Sequence, residues 1–302
     1  MLHATTPAHQ KRAAFRAALA SGAIQRMPGA FNPLSARLIQ DKGFEGVYVS
    51  GAVLSADLGL PDIGLTTLTE VAGRAGQIAR VTDLPALVDA DTGFGESMNV
   101  ARTVQIVEDA GLAGLHLEDQ VNPKRCGHLD GKAVVDENTA LKRIRAAVQA
   151  RRDANFLIMA RTDIRGVDGL ETAVTRAKRL ADAGADAIFP EAMASLEEFA
   201  AIRAAVDVPI LANMTEFGKS ELFSVRQLAD VGVNIVIFPV SLLRSAMGAA
   251  ERALDTLLAD GSLNAAVPQM QTRSRLYELV DYQAYAEFDQ GVYTFDLSNN
   301  RG

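Results

Sequence analysis

Eight short runs rich in β-branched and other apolar residues recur along the 302-residue chain, at 23–31, 46–52, 85–92, 113–120, 156–163, 186–192, 209–215 and 234–240. Longer Ala-rich stretches with helical spacing separate them, among them NVARTVQIVEDAG, LETAVTRAKRLADAG and LEEFAAIRAAV. Many of these stretches stop at a Gly just before the next run, as helix C-caps do. Strands alternating with helices argue for a parallel α/β sheet. Eight of them argue for a closed (β/α)8 barrel of TIM type. A doubly wound open sheet is the competing architecture, but it usually carries a Gly-rich phosphate turn after its first strand. Here GFGES at 93–97 follows the third run and does not complete GxGxxG. No Ser/Pro/Gly linker, low-complexity tract or charge block divides the chain. A single domain over 1–302 is therefore expected, with an N-terminal helical segment at 1–22 and a C-terminal helix and tail from about 268.

The composition excludes several function classes. Hydrophobic residues make up 48% and charged residues 22%, the balance of an ordinary globular protein with a substantial core. Cys126 is the only cysteine, so no internal disulfide can form, and a reducing compartment, the cytoplasm, is expected. A net charge of −7 argues against nucleic acid or an anionic membrane as partner but leaves room for a small anionic substrate in a locally positive pocket. No apolar run approaches the ~20 residues that span a bilayer. No acidic residue precedes Asp41, while Lys11, Arg12, Arg16, Arg26 and Arg37 are basic, a bias shared with transit peptides. The stretch AHQKRAAFRAALASG reads instead as a short helix closed by Gly22.

Nearly every run is apolar at its start and polar at its finish. The finishes supply Ser50 and Gly51, Asp89 and Asp91, Glu118 and Asp119, Arg161 and Asp163, Glu191, Asn213 with Thr215 and Glu216, and Pro239 with Ser241. In a barrel they converge on one face, where barrel enzymes keep their active sites. Carboxylates gathered there repel one another unless a cation joins them. The alternation in DADTG puts Asp89 and Asp91 on one face of a strand, roughly 7 Å apart. Glu118 ends the adjacent strand, and Asp62, in GLPDIGLTT, can approach from a loop. Hard oxygen ligands without clustered His or Cys suit Mg2+ or Mn2+ rather than zinc, and Mg2+ keeps several waters, so some of the acids would act through water. An Asp after a strand is also a common helix N-cap, so the metal reading rests on the set and not on any one member.

Cys126 lies in DQVNPKRCGHLDGK, a polar stretch with Gly127 and Gly131 that is longer than a usual βα loop. Such loops often serve as lids. Lys124, Arg125 and His128 would favour the thiolate and suit the thiol to act as nucleophile, general acid or general base. An incidental surface thiol is the plainer alternative. Arg161 and Arg244 are candidate carboxylate clamps, since a guanidinium binds a carboxylate through two parallel hydrogen bonds. Either could instead form a surface ion pair.

The combination of KRCGH with DADTGFG, SGAVLSADLGLPDIG, MARTD, FPEA and NMTEFG resembles the isocitrate lyase and phosphoenolpyruvate mutase superfamily from about residue 12 to 290 and, within it, the 2-methylisocitrate lyases. Isocitrate lyases are longer and usually read KKCGH, with a serine-rich stretch in place of NMTEFG. Ala52 departs from the more usual Ser-Gly-Gly. The resemblance implies Mg2+-dependent cleavage, Mn2+ being possible, of the small tricarboxylate 2-methylisocitrate to pyruvate and succinate in propionate breakdown. Isocitrate or another substituted malate is the alternative substrate. A non-catalytic barrel would be expected to have lost the metal or thiol residues, and this chain has them all.

Carried over, Asp91 binds the metal most directly, and Asp62, Asp89 and Glu118 act mainly through water. Ser50, Gly51, Ala52 and Arg161 hold the carboxylate that becomes pyruvate's. Gly127, His128, Glu191, Asn213, Thr215 and Arg244, with Arg125 beside them, surround the part that leaves as succinate. Cys126, flanked by His128, protonates the succinate carbanion. Tyr48 and Glu118 are alternative bases for the hydroxyl. Phe189, Ile237 and Pro239 either form an apolar wall for the substrate methyl or pack in the barrel core. Four of the five tyrosines, with Phe288 and Phe295, fall between 277 and 295, and RLYELVDYQAYAEF reads as an aromatic helix suited to an interface. The resemblance implies a homotetramer in which this late helix is exchanged between subunits.

Overall fold

A computed structural model describes residues 4–125, 127, 131–218 and 220–293. Each of the eight apolar runs contains one short strand. They are β1 (Gln25–Pro28), β2 (Val47–Val49), β3 (Ala86–Asp89), β4 (Gly114–Glu118), β5 (Leu157–Thr162), β6 (Ala187–Pro190), β7 (Leu211–Asn213) and β8 (Ile235–Phe238). All pair in parallel, β2 to β6 in sequence order and β7–β8–β1 as a second group. Parallel bridges Gly29–Tyr48 and Ile188–Ile210 join the groups at both seams, which closes the ring.

α1 (Ala8–Ala20) precedes the first strand, and the helices after it are α2 (Pro33–Asp41), α3 (Gly51–Asp57), α4 (Leu68–Ala79), α5 (Ser97–Asp109) and α6 (Glu137–Ala150). Then come α7 (Arg165–Asp168), α8 (Leu170–Asp182), α9 (Leu196–Ala205), α10 (Val225–Asp230), α11 (Ser241–Asp260), α12 (Arg273–Leu279) and α13 (Tyr282–Tyr293). Their starts carry the expected chemistry: Asn32, Thr67 and Ser224 each close a capping box at the head of α2, α4 and α10. No helix among the described residues is long and apolar enough to cross a membrane.

The two-residue period of a strand sorts the apolar residues into two cores. Val47, Val49, Val88, Leu115, Leu117, Ile158, Ile188 and Val236 face outward onto Val71 and Ile78 of α4, Val104 of α5, Ile144 of α6 and their equivalents. Met27, Tyr48, Leu87, Leu157, Met159, Phe189, Leu211 and Ile237 face inward and fill the barrel. Phe15 and Leu19 of α1 join that inner set. Arg12 Nε donates to the Leu112 carbonyl at 2.8 Å, and Lys11 Nζ donates to the Ala79 and Thr82 carbonyls at 2.9 and 2.5 Å. Those carbonyls precede β4 and β3, so α1 plugs the N-terminal end of the barrel. The basic N-terminal segment is thus a helix that belongs to the fold, and Gly22 just beyond it takes a positive φ of 78°.

The C-terminal region differs in one respect from the expectation of one aromatic helix. The chain turns at Asp281, whose φ is 56°, and α12 and α13 are separate. Tyr277 and Tyr282 stack across that turn with centroids 4.8 Å apart. Phe295 lies outside the described residues. α12 packs on α2, with Arg37 donating to the Leu279 carbonyl at 3.2 Å. By contrast α11, 20 residues long, buries no residue of its own in the protomer.

Candidate active site

Above the apolar layers, the next inward positions are polar. They are Asp89 on β3, Glu118 on β4, Arg161 on β5, and Glu191 and Asn213 at or just past the ends of β6 and β7. Ser50, Gly51 and Ala52 form the start of α3 beside them. Gly51 N–H donates to Asp89 Oδ2 at 3.3 Å, and a side chain at Gly51 would stand 2.9 Å from that oxygen. Asp91 arrives by a different route from the one the alternation suggests. The strand stops at Asp89, Asp91 adopts a positive φ of 46°, and its N–H donates to Asp89 Oδ1 at 3.0 Å. A turn, and not the strand pleat, brings the two carboxylates to one site.

Lys124 stands among these acids. Its Nζ lies 2.5 Å from Asp62 Oδ1 and 2.7 Å from Asp91 Oδ1, with the side chain buried. Burial alone would discharge it, but Asp89, Asp91, Glu118 and Asp62 outweigh burial and keep it an ammonium. Asp89 is also buried, yet His116, Lys124 and Arg161 hold it down at about 2. Asp91 goes the other way, to about 6, through burial and the charge of Asp89, against the pull of Lys124. Glu118 is raised well above the ordinary carboxylate range, first by burial. Sequence reasoning placed Lys124 only as a neighbour of the thiol; its inward turn has no local sequence signal.

Arg161 is no surface ion pair. It is buried, with Nε 3.3 Å from Glu118 Oε2 and 2.9 Å from Asp163 Oδ2, Nη2 3.3 Å from Glu191 Oε2, and its guanidinium 5.1 Å from the Phe189 ring centre. Arg244 is half-exposed at the rim, where it donates to Thr215 Oγ1 at 3.2 Å and to Glu216 Oε2 at 2.9 Å. Arg125 is exposed and its side chain lies by Gly131, outside the acid ring. Gly127 packs onto the ring itself: a Cβ there would come within 2.5 Å of Arg161 Nη2 and Glu191 Cγ. Cys126 and His128 lie outside the described residues. Phe189, Ile237 and Pro239 are buried, the first two in the inner barrel core.

Below the acids sits a pair that sequence reasoning missed in part. The Tyr48 hydroxyl and His116 Nε2 share a 2.7 Å hydrogen bond in the barrel interior, and Nε2 is 3.7 Å from Asp89 Oδ1. Burial lowers the imidazole to about 4 against the opposing pull of Asp89, so it is neutral at neutral pH. Burial and then Asp89 push the Tyr48 phenol well above 10, so it keeps its proton. His116 was detectable: it lies two residues before Glu118 on β4, so both point inward.

Glu118 Oε1 and Oε2 and Asp91 Oδ1 are buried without a hydrogen-bond partner among the described residues, although Lys124 and Arg161 face them as charges. No three acidic or His side chains among the described residues converge closely enough to ligate an ion directly. Carboxylates that gather without converging closely enough for direct ligation fit a hard cation that keeps its waters, as Mg2+ does.

The family model described as phosphoenolpyruvate phosphomutase matches residues 15–258. The chain belongs to the phosphoenolpyruvate mutase/isocitrate lyase superfamily. A relative from Corynebacterium glutamicum named probable 2-methylisocitrate lyase 2 is 64% identical over 290 residues, 96% of this chain and 94% of that protein. Among solved superfamily structures, 2,3-dimethylmalate lyase superposes with a TM-score of 0.87 at 34% identity, covering 96% of each chain. Phosphonopyruvate hydrolase complexed with oxalate and Mg++ superposes with a TM-score of 0.84 at 28% identity, covering 93% of this chain and 98% of that one. The barrel expected from the eight runs is thus the superfamily's own fold.

Proposed function

We infer that the chain is a carbon–carbon lyase that cleaves 2-methylisocitrate to pyruvate and succinate. The observation that carries the reading is the close approach of Gly127, the neighbour of the lone cysteine in sequence, to Arg161 and Glu191 of the acid ring. The name carried by the 64% identical relative supports the choice of substrate. Asp91 would hold a Mg2+ ion directly, and Asp62, Asp89 and Glu118 would hold it through water. Bound there, the ion would stabilise negative charge on the substrate's oxygens as the bond breaks.

The chain's own groups do the rest. Arg161 and the N–H groups at the start of α3 bind the carboxylate retained by pyruvate. Asn213, Thr215, Glu191 and Arg244 face the succinate end, and the loop excludes water. Glu118, whose carboxylate form a cation bound nearby would favour over the protonated form that burial favours, takes the hydroxyl proton. The C–C electron pair passes to the succinate carbon, and Cys126 delivers its thiol proton there. Tyr48 is a poorer base because His116 already engages its hydroxyl one inward layer below. Phe189, Ile237 and Pro239 supply the apolar side of the pocket for the methyl group. The working form is a homotetramer of cytoplasmic location in which the C-terminal helices cross between subunits.

Steady-state pyruvate and glyoxylate formation with Mg2+ tests this, offering 2-methylisocitrate and isocitrate separately to the wild type and Cys126→Ser. The expected result is fast pyruvate, little glyoxylate and a crippled variant. Glyoxylate at an equal or higher rate would move the assignment to an isocitrate lyase. An unimpaired Cys126→Ser would remove the thiol from the reaction.

A further inference from the structure

Gln120 follows β4 and is fully buried. Its carboxamide makes two hydrogen bonds to a single residue. The Arg125 N–H donates to Oε1 at 2.9 Å, and Nε2 donates to the Arg125 carbonyl at 2.8 Å. That is the pairing a neighbouring strand would offer, made here by a side chain, and it fixes the backbone immediately before Cys126. Lys132 reaches back from the returning limb of the same loop. Its Nζ donates to the Gly127 carbonyl at 2.5 Å and pairs with Asp163 Oδ1 at 2.8 Å. The backbone immediately after Cys126 is therefore fixed as well.

Both grips stand on a firm base. The two limbs join through an antiparallel bridge at Gln120 and Val134, with Val121 N–H donating to the Ala133 carbonyl and Val135 N–H to the Asp119 carbonyl, each at 2.8 Å. Asp163 is buried, and it holds Arg161 as well as Lys132. The seat of the loop and the guanidinium that clamps the substrate carboxylate thus share one anchor.

We propose that Gln120 and Lys132 are positioning residues that set where the Cys126 thiol stands, acting through the backbones of Arg125 and Gly127 and never touching substrate. The proposal rests on the reading of Cys126 as proton donor. A donor displaced by about 1 Å costs on the order of a hundredfold in rate, so the two grips bear on turnover and not on substrate binding.

Gln120→Leu, Gln120→Glu, Lys132→Met and Lys132→Arg test it, each compared with wild type for kinetics with Mg2+, thermal midpoint and tryptic cleavage after Arg125. Arg125 is exposed but pinned at both its N–H and its carbonyl, so the wild type is expected to resist cleavage there. Gln120→Leu and Lys132→Met are expected to lose at least about tenfold in kcat with KM within about threefold. Tryptic cleavage after Arg125 should accelerate about fivefold or more relative to other sites, with the thermal midpoint little changed. Gln120→Glu keeps one of the two bonds and falls between, and Lys132→Arg restores turnover in part. The proposal is overturned if kcat and the Arg125 cleavage rate stay within about twofold of wild type, or if kcat falls together with the thermal midpoint while cleavage accelerates at all sites alike, as in general destabilisation. A wild type that leaves 2-methylisocitrate intact would sink the assigned reaction instead, and cleavage after Arg125 would still decide whether the two side chains seat the loop.

Discussion

At the level of single residues, the chemistry turns on which buried groups can exchange a proton. Glu118 and Tyr48 both face the barrel interior, but only Glu118 stands in the layer of Arg161 and has no hydrogen bond to its carboxylate oxygens among the described residues. Glu118→Gln is expected to lower kcat by roughly 10²–10⁴-fold, the usual worth of a positioned base, and Tyr48→Phe to lower it far less. A larger loss in Tyr48→Phe would reverse the assignment. His116 gives a pH signature. Its pKa falls from 6.5 to about 4 on folding, so the unfolded chain binds the extra proton between those values. Stability from this group is therefore complete above about pH 6.5 and drains away as pH falls toward 4, by about 2 kcal/mol at pH 4.5. Asp91, raised to about 6, works with the opposite sign over part of the same window. The His116 contribution is isolated by comparing EDTA-treated wild type with His116→Leu: the wild type should lose more stability between pH 7.5 and 4.5 than the variant does. Parallel losses would mean that His116 is not held neutral. The identities of the acids were legible in the sequence because strand ends expose them to pattern reading. Lys124 was not, because its role depends on how a long loop folds back, which no local period records.

At the level of elements, the strands and the loops divide what could be foreseen. The eight strands lie inside the eight apolar runs, because outward and inward residues must both be apolar over most of a barrel strand. The polar ends of those runs fall at or beyond the hydrogen-bonded ladder, which is why Asp91 owes its place to a turn. The N-terminal helix shows tertiary packing overriding composition. Its sequence is short and basic, yet Lys11 and Arg12 donate to backbone carbonyls, Arg12 also pairs with Asp153 at 3.1 Å, and Phe15, 1% exposed, enters the barrel core. Phe15→Ala should destabilise the protein by about 3–5 kcal/mol, the cost of a large buried cavity. Urea unfolding followed by far-UV circular dichroism measures it. A change well under 1 kcal/mol would mean that α1 does not plug the barrel.

At the level of the whole molecule, α11 is the helix whose apolar face is left uncovered. In a (β/α)8 barrel the helix after the eighth strand covers the seam between the eighth and first strands. Here α11 buries none of its 20 residues, and Met247, Leu254 and Leu258 are 60%, 65% and 89% exposed. Near its start, an apolar cavity of about 570 Å3 lies open between Pro28, Leu38, Ile39, Phe44, Phe238 and Leu242, at the strand ends of that same seam. An exposed apolar helix and an apolar groove on one chain suit the homotetramer proposed above, in which closed symmetry would pair such surfaces between copies. Tyr277, Tyr282 and Phe288 on α12 and α13 are exposed as well. On that proposal the wild type should scatter as a tetramer at micromolar concentration, and Leu254→Glu combined with Leu258→Glu should shift it toward monomer. A charge placed in a buried apolar interface cannot be solvated, whereas the same change on a free surface is nearly neutral. The thermal midpoint should fall with dissociation and become dependent on protein concentration. A wild type that scatters as a monomer, or a double variant that remains a tetramer, would show that α11 is not the covering element.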